Sequence, residues 1–147
     1  MKLSARSHEH LENFLREFYQ DPTLRLPAVY FHTGALVRLV TRAINVSAIT
    51  FGQHVLISPE LVEADSRGRQ RVPGWLVAHE AVHVLQYKRE GYVRFLVHYL
   101  CGYWRALRES GKWDRAGRMR AYLSIAEERA AQEVERAYQA KGTGPKP

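Results

Sequence analysis

The sequence predicts a predominantly helical α+β domain with one small hairpin or short sheet. Most of the chain repeats apolar residues at the three- and four-residue spacing of amphipathic helices, whereas residues 48–57 are rich in strand-forming residues. With 147 residues, 46% of them hydrophobic, the chain is long enough to bury the core of one domain. We therefore expect a single domain over residues 1–140 and a disordered tail over residues 141–147.

The first part of the chain predicts two helices joined by an irregular segment. Ser7 is the candidate N-cap of the first helix, because apolar side chains recur on one face over the turns that follow it. Residues 24–34 contain Pro27 and Gly34 and predict irregular structure. Helical spacing of leucine and valine returns in ALVRLVTRAIN, residues 35–45, which predicts the second helix.

Strand-forming residues cluster convincingly in one place. The runs AITF and VLI, residues 48–51 and 55–57, flank a Gly-Gln pair, so we expect a hairpin there. The polar segment that follows predicts a loop with a helical turn after Pro59.

Three helices are predicted in the second half of the chain. The first spans residues 75–89, is apolar on almost every side and ends at Gly91. The next spans residues 92–109 and is rich in aromatic residues. After a break at a Ser-Gly pair, the last helix is expected to run without interruption from residue 115 or 118 to residue 140.

The aromatic helix allows two interpretations. Its stripe of aromatic and aliphatic side chains could lie on a membrane surface. The alternative is a core helix from which Arg94 and Arg105 extend along their aliphatic stems to solvent. The pattern is compatible with both.

Cys101 is the only cysteine, so the chain forms no internal disulfide and no cysteine-based metal cluster. We interpret it as a small buried apolar residue in a reducing compartment. The N-terminus has no apolar segment typical of a signal peptide, and no run reaches the about 18 apolar residues that span a bilayer. These features predict a cytoplasmic protein without a transmembrane segment, and export by a non-classical route stays open.

The net charge of +7 favours acidic surfaces as partners. The basic residues are nevertheless scattered, and no recognition helix, zinc finger or basic region with interleaved aromatics is visible. We therefore expect no specific nucleic-acid partner.

The stretch HEAVH places His79, Glu80 and His83 in the spacing His-Glu-x-x-His. Histidines four residues apart on a helix lie on one face, where both can bind one zinc ion. Glu80 is rotated by about 100° from His79, so it lies beside the metal and can accept a proton from a metal-bound water. This division of roles is typical of the zinc-peptidase helix.

The surroundings of the motif strengthen the metal-site interpretation. Chance alone produces the spacing in about 0.03 of chains with this His and Glu content. Here the three polar residues interrupt a helix that is otherwise apolar, and burying them without a partner costs several kcal/mol, which a bound cation removes. The alternative is that the three groups form hydrogen bonds with neighbours at the domain surface.

A catalytic zinc needs a third protein ligand and an open position for water. Periodicity does not choose among the four glutamates of the last helix, which are Glu127, Glu128, Glu133 and Glu135. Other polar side chains are less suited to bind the metal or to take part in catalysis. We interpret His98 as an ordinary core or surface histidine and expect Tyr122 to serve packing more than oxyanion stabilisation.

Three stretches together resemble a known family. They are AITFGQHVLIS, HEAVHVLQYKREGYVRFLVHYL and AYLSIAEERAA, and the similarity runs over residues 48–131. They are similar to small bacterial zincin-like metallopeptidases of uncharacterised function, which are related to the core domain of contractile-injection-system effectors. The resemblance implies a minimal zincin-like domain with the hairpin packed beside the motif helix.

Carried over by position, the resemblance implies His79 and His83 as metal ligands, Glu80 as the catalytic residue and Glu128 as the third ligand. Glu127 stands where the family usually has an apolar residue, so a shift of the ligand by one position stays open.

The expected function is zinc-dependent hydrolysis of a peptide or protein substrate, with one Zn²⁺ ion and Glu80 as general base. The hairpin edge is expected to pair with the substrate backbone, provided that it is uncovered near His79. The alternative is a non-catalytic, metal-stabilised interaction or scaffold domain. A catalytic site has three protein ligands and a structural one has four.

Overall fold

The computed structural model describes residues 1–44, 46–64 and 70–142. Helices predominate and a small mixed sheet accompanies them, which confirms the predicted α+β class. Residues 143–147 of the predicted tail lie outside the described residues. In chain order the elements are α1 (Ala5–Tyr19), β1 (Tyr30–His32), α2 (Ala35–Ile44), β2 (Ala48–Phe51), β3 (His54–Ile57), a 3₁₀ turn (Pro59–Leu61), β4 (Glu63–Ala64), β5 (Gln70–Arg71), α3 (Gly74–Glu90), α4 (Tyr92–Ser110), α5 (Arg115–Ser124) and α6 (Ala126–Ala140).

The main sheet has the strand order β1-β3-β2, so β2 forms one of its edges. β2 and β3 are the predicted antiparallel hairpin, with Thr50 opposite Val55. Their turn contains Gly52 at φ 61°, a left-handed conformation that glycine adopts without strain. The prediction was wrong for β1, because the segment expected to be irregular pairs in parallel with β3. A strand of three residues carries little periodic signal, and its partner is distant in the chain.

α1 begins nearly one turn earlier than predicted. Its N-cap is Ser4, whose Oγ accepts a hydrogen bond from the backbone N–H of Ser7 at 3.1 Å. The predicted cap, Ser7, therefore lies inside the helix. Both serines precede the first buried apolar residue, Leu11. The spacing of apolar residues alone therefore does not show which serine is the N-cap.

Glu12 ties α1 to the segment that leads into β1. Its Oε2 accepts a hydrogen bond from the backbone N–H of Leu26 at 2.8 Å, and its Oε1 pairs with Arg16 and Arg25. Burial opposes the charge on Glu12, but the Leu26 N–H and the two guanidiniums outweigh it and lower the pKa of this carboxyl. The carboxylate therefore stabilises the folded chain.

Replacement of Glu12 by alanine should lower the free energy of unfolding by about 1–3 kcal/mol at neutral pH, because it leaves the Leu26 N–H without its acceptor. The pKa of Glu12 is lowered on folding, so its contribution is complete above the unfolded pKa and is lost as the pH falls through the folded pKa. Urea unfolding over a series of acidic pH values measures this. Glu9→Ala, at an exposed position of the same helix, is the control, and equal losses for both variants would contradict the role of Glu12.

α3 is the central element of the core, and α6 packs along it. Most residues between positions 76 and 87 are buried, as the apolar sequence of this helix predicts. The core continues into α1, the segment before β1 and the sheet through apolar side chains that include Leu15, Val29 and Val55.

The prediction of one uninterrupted last helix was wrong. Ile125 has extended backbone angles, φ −62° and ψ 136°, and separates α5 from α6. Its side chain is buried and lies beside Gly102 of α4. The break places Glu127 and Glu128 in the first turn of α6, where the positive end of the helix dipole favours carboxylates.

α4 is not the core helix that one of its two interpretations predicted. Of its residues, only Phe95 and Leu107 are buried. Cys101 is exposed, so its interpretation as a buried residue was wrong. None of the helices in the described part of the chain has the length and apolar character needed to cross a membrane.

Candidate metal centre

α3 carries three polar side chains into apolar surroundings. Glu80 is 4% exposed and His83 is 6% exposed, and His79 is partly buried. The two histidines are one helical turn apart, and their ring centroids are separated by 5.1 Å. Both rings approach α6.

The Nδ1 atom of each histidine has a hydrogen-bond acceptor. The Nδ1 of His79 lies 3.0 Å from Oε2 of Glu135, and the Nδ1 of His83 lies 2.8 Å from Oε1 of Gln86. Gln86 donates its amide N–H to the carbonyl oxygen of Glu127, so its Oε1 is the acceptor for His83. A carboxylate and an amide oxygen only accept, so each Nδ1 donates its proton and each Nε2 is directed to the opposite side of the ring.

Both Nε2 atoms meet the carboxylate of Glu128. Its Oε1 lies 3.3 Å from Nε2 of His83, and its Oε2 lies 3.5 Å from Nε2 of His79. One ligand atom from each of these three residues lies within 4.8 Å of the others. These atoms are close enough to share one metal ion.

The residues present fit a cation. Glu128 is 1% exposed, and among the described residues its Oε2 has no hydrogen-bond partner. A buried polar atom without a partner is costly, and such an atom in a folded protein calls for an explanation such as an ion. Two imidazole nitrogens and a carboxylate oxygen are ligands that zinc accepts.

Two tyrosines lie beside the carboxylate of Glu128. The hydroxyl of Tyr99, from α4, donates a hydrogen bond of 2.6 Å to Oε1 of Glu128. Tyr122, from α5, interacts with Glu128 and with Tyr99. Burial, together with the nearby charge of Glu128, raises the pKa of both hydroxyls well above the usual range, so both keep their protons and can donate. Tyr122 thus lies close to Glu128.

Charges within the cluster stabilise one another. Burial opposes the charge on Glu128, but its close contacts with the imidazoles of His79 and His83 outweigh this effect and hold the pKa of Glu128 well below its usual range. Burial also opposes the charge on His83, but its contact with Glu128 raises the pKa of His83 to about 9. The pKa of His79 is raised for the same reasons. A bound cation would take the place of the imidazole protons, as metal binding commonly does.

Glu80 faces the hairpin. Its Oε2 accepts a hydrogen bond of 2.6 Å from the hydroxyl of Thr50, which belongs to β2. Glu80 is not one of the three clustered ligand residues. Glu80 is buried beside the cluster, and the hydrogen bond from Thr50 holds its carboxylate in one orientation.

The four glutamates of α6 differ in their contacts and in their exposure to solvent. Glu128 joins the two histidines and Glu135 accepts from His79, whereas Glu133 is exposed. Glu127 belongs to a second, more exposed group with Glu90 and His98, in which His98 pairs with Glu90 at 3.0 Å. No buried atom without a partner is found in that second group, so the cluster around Glu128 is the stronger candidate.

Sequence reasoning missed two contributors to the site and considered a third, Glu135, only as a candidate metal ligand. Thr50 and Tyr99 reach it from β2 and α4, and only the packing of these elements brings them together. Glu135 left a signal, because it follows Glu128 by seven residues and therefore lies on the same face of α6.

For a divalent metal ion held by this cluster, replacement of Glu135 by alanine should weaken binding by about 10- to 100-fold, because the hydrogen bond that orients His79 is lost. Competition with a coloured chelator measures the affinity. Glu133→Ala removes a carboxylate two residues away at an exposed position and serves as the control. Equal affinities of the two variants would show that the contact with His79 has no part in metal binding.

The fold and the site together define an α+β domain whose central helix carries a candidate metal-binding group. The family model of the eCIS core domain matches residues 10–91, more than half of the chain, and the chain belongs to this family. The predicted relation to the contractile-injection-system core is thereby supported. Comparison with curated proteins and with solved structures finds no match.

The matched range differs from the expected one. It begins within α1 and ends at Gly91, whereas the resemblance seen in the sequence covers residues 48–131. It includes the whole His-Glu-x-x-His motif but not Glu128. The place of Glu128 beside the histidines therefore rests on the packing of α6 against α3.

Proposed function

We propose that the protein is a zinc-dependent peptidase in which His79, His83 and Glu128 hold the metal and Glu80 is the general base. The observation that carries this proposal is the convergence of two imidazole Nε2 atoms on a buried carboxylate whose Oε2 has no hydrogen-bond partner in the described residues. Bound zinc would supply Lewis acidity and lower the pKa of a water molecule to about 7.

The number and type of ligands favour catalysis over a structural role. In the described part of the chain, the group contains two histidines and one carboxylate. Structural zinc sites use four protein ligands, and most of them include cysteine. Catalytic sites use three protein ligands and keep a position for water, and two histidines with a glutamate form one of the known sets.

Glu80 is the residue proposed to move the proton. The hydrogen bond from Thr50 orients its carboxylate beside the histidines. During hydrolysis the water oxygen bonds to the carbonyl carbon, and Glu80 accepts the proton that the water loses. Glu80 then donates this proton to the amine nitrogen as the C–N bond breaks.

β2 supports a mode of substrate binding. β3 is the central strand and pairs with β1 on one side and β2 on the other. In the described residues no strand pairs with the outer edge of β2. Thr50 belongs to β2 and contacts Glu80, so this edge adjoins the proposed site. An extended peptide that adds to β2 as a further strand would bring a backbone carbonyl toward Glu80.

The test combines elemental analysis with a hydrolysis assay. The purified protein should contain one zinc ion per chain and cleave a mixture of synthetic peptides, with the products identified by mass spectrometry. Cleavage should stop when a chelator removes the metal and return when zinc is added. A protein that binds no divalent metal would contradict the proposal.

A non-catalytic role has one observation in its favour. Glu128 lies in the core and meets the histidines of α3 from α6, so a cation there would link the two helices. For this alternative, zinc should raise the melting temperature while no peptide is cleaved with zinc or with another divalent metal. The metal would then stabilise an interaction domain.

A further inference from the structure

α4 carries an apolar surface that the described chain leaves uncovered. Val93 is 77% exposed and Trp104 is 53% exposed. Both belong to a set of exposed side chains on one side of the helix, here named the α4 stripe: Val93, Leu96, Val97, Leu100 and Trp104. The residues of the α4 stripe are exposed, so they are not part of the core. They are also separate from the proposed zinc site, because Tyr99 contacts Glu128 from another side of α4.

Arginines flank the α4 stripe along one side. At about 100° per residue, the five stripe residues fall within an arc of about 100°, and Arg94, Arg105 and Arg108 occupy the next arc of about 60°. All three arginines are exposed, and together they are named the basic edge. An apolar face with a cationic border is typical of helices that lie in the interface of a membrane.

Tryptophan extends the surface beyond α4. The ring of Trp113 lies 6.0 Å from the ring of Trp104, between centroids, and it is also more than half exposed. Tryptophan is enriched at the boundary between lipid and water, because its ring is apolar and its N–H is polar. The pair therefore suits contact with lipid headgroups.

A depression lies at the border between the α4 stripe and the basic edge. Its volume is 550 Å³, and it is lined by Cys101, Trp104, Arg105, Arg108 and Glu109. Guanidinium groups bind phosphate with two parallel hydrogen bonds. The two arginines outnumber the one acidic residue of the lining, Glu109, so the depression beside the exposed indole is a suitable position for a phosphate headgroup.

The charge of α4 and α5 indicates which kind of partner can bind the α4 stripe. Residues 92–124 contain seven basic and two acidic residues, so they carry +5 of the net charge of +7. A second copy of the chain would bring this positive region against itself, which is repulsive. An anionic surface is complementary to it, and each Lys or Arg near such a surface contributes to binding.

We propose that the α4 stripe and the basic edge form a docking surface for a bilayer that contains anionic phospholipids, with α4 lying parallel to the membrane. The apolar side chains enter the boundary of the acyl region, and the arginines contact phosphate groups. This docking does not depend on zinc or on peptide hydrolysis.

The experiment is co-sedimentation with vesicles. The wild-type protein should bind vesicles of phosphatidylcholine and phosphatidylglycerol in equal amounts, and tryptophan fluorescence should shift to shorter wavelength. It should bind vesicles of phosphatidylcholine alone at least about tenfold more weakly, and added salt should weaken binding to the anionic vesicles.

Two double variants separate the contributions. Val93→Glu with Leu100→Glu should reduce vesicle binding by about tenfold or more, because charge enters the apolar face. Arg105→Gln with Arg108→Gln should cause a loss of similar size on anionic vesicles. The matched control is Leu36→Glu with Leu39→Glu, two exposed leucines of α2, which should bind as the wild type does. Circular dichroism verifies that each variant is folded.

Three results would overturn the proposal. The first is no binding to anionic vesicles at low ionic strength, and the second is an equal loss of binding in the α2 control. The third is a self-associating protein that becomes monomeric in the Val93→Glu, Leu100→Glu variant and binds no vesicle, because a second copy would then cover the α4 stripe.

Discussion

Replacement of Glu80 by glutamine should reduce peptide hydrolysis by about 10²- to 10⁴-fold while the zinc content stays unchanged. Glutamine has nearly the same shape and can still accept the hydrogen bond from Thr50, but it cannot take a proton from water. Glu80 lies outside the group of three clustered ligands, so its charge is not needed to hold the metal. Initial rates on the peptide mixture and elemental analysis of the same sample measure both quantities.

Glu133→Gln makes the same chemical change at an exposed position of α6 and should keep the wild-type rate. Full activity of Glu80→Gln would show that Glu80 is not the base. Loss of zinc together with activity would instead make Glu80 a ligand, contrary to its contact with Thr50 on β2.

Replacement of Glu128 by glutamine should weaken zinc binding by more than about 100-fold, because the loss of a ligand exceeds the usual effect of losing a residue that only orients one. Zinc at 100 times its dissociation constant stabilises the folded wild type by about 2.7 kcal/mol, whereas a 100-fold weaker site gains about 0.4 kcal/mol at the same concentration. For a chain of this size the difference corresponds to about 5–10 °C in Tm. Thermal unfolding with and without zinc measures it.

Glu127→Gln is the decisive comparison, because Glu127 is the neighbouring residue that the sequence left open as third ligand. Its carboxylate belongs to the group with Glu90 and His98, so this variant should keep the full zinc-dependent rise in Tm. If Glu127→Gln loses that rise and Glu128→Gln keeps it, the proposed ligand set is wrong.

The motif on α3 could be predicted because its geometry is local. One helical turn brings His79 and His83 together in any helix, and the apolar residues around them indicate burial. The β2-β3 hairpin is local in the same sense, because its turn joins strands that are adjacent in the chain. Patterns of this kind depend on near neighbours, so they are readable in the sequence.

The boundary between α5 and α6 shows where such reasoning fails. The helical period continues through Ile125, yet the backbone is extended there and the side chain is buried beside Gly102. That contact involves a residue of α4, which the local pattern does not contain. The break nevertheless matters for the site, because it places Glu128 in the first turn of α6.

The sequence by itself determined the α+β class, the central helix with His79, Glu80 and His83, and the hairpin beside it. The tertiary structure decided that Glu128 meets both histidines, that Thr50 holds Glu80, and that the α4 stripe faces outward. The physical reason is the range of the interactions. Helix periodicity and turn chemistry act between residues close in the chain, whereas the convergence of ligands and the choice of the buried side depend on how distant helices pack.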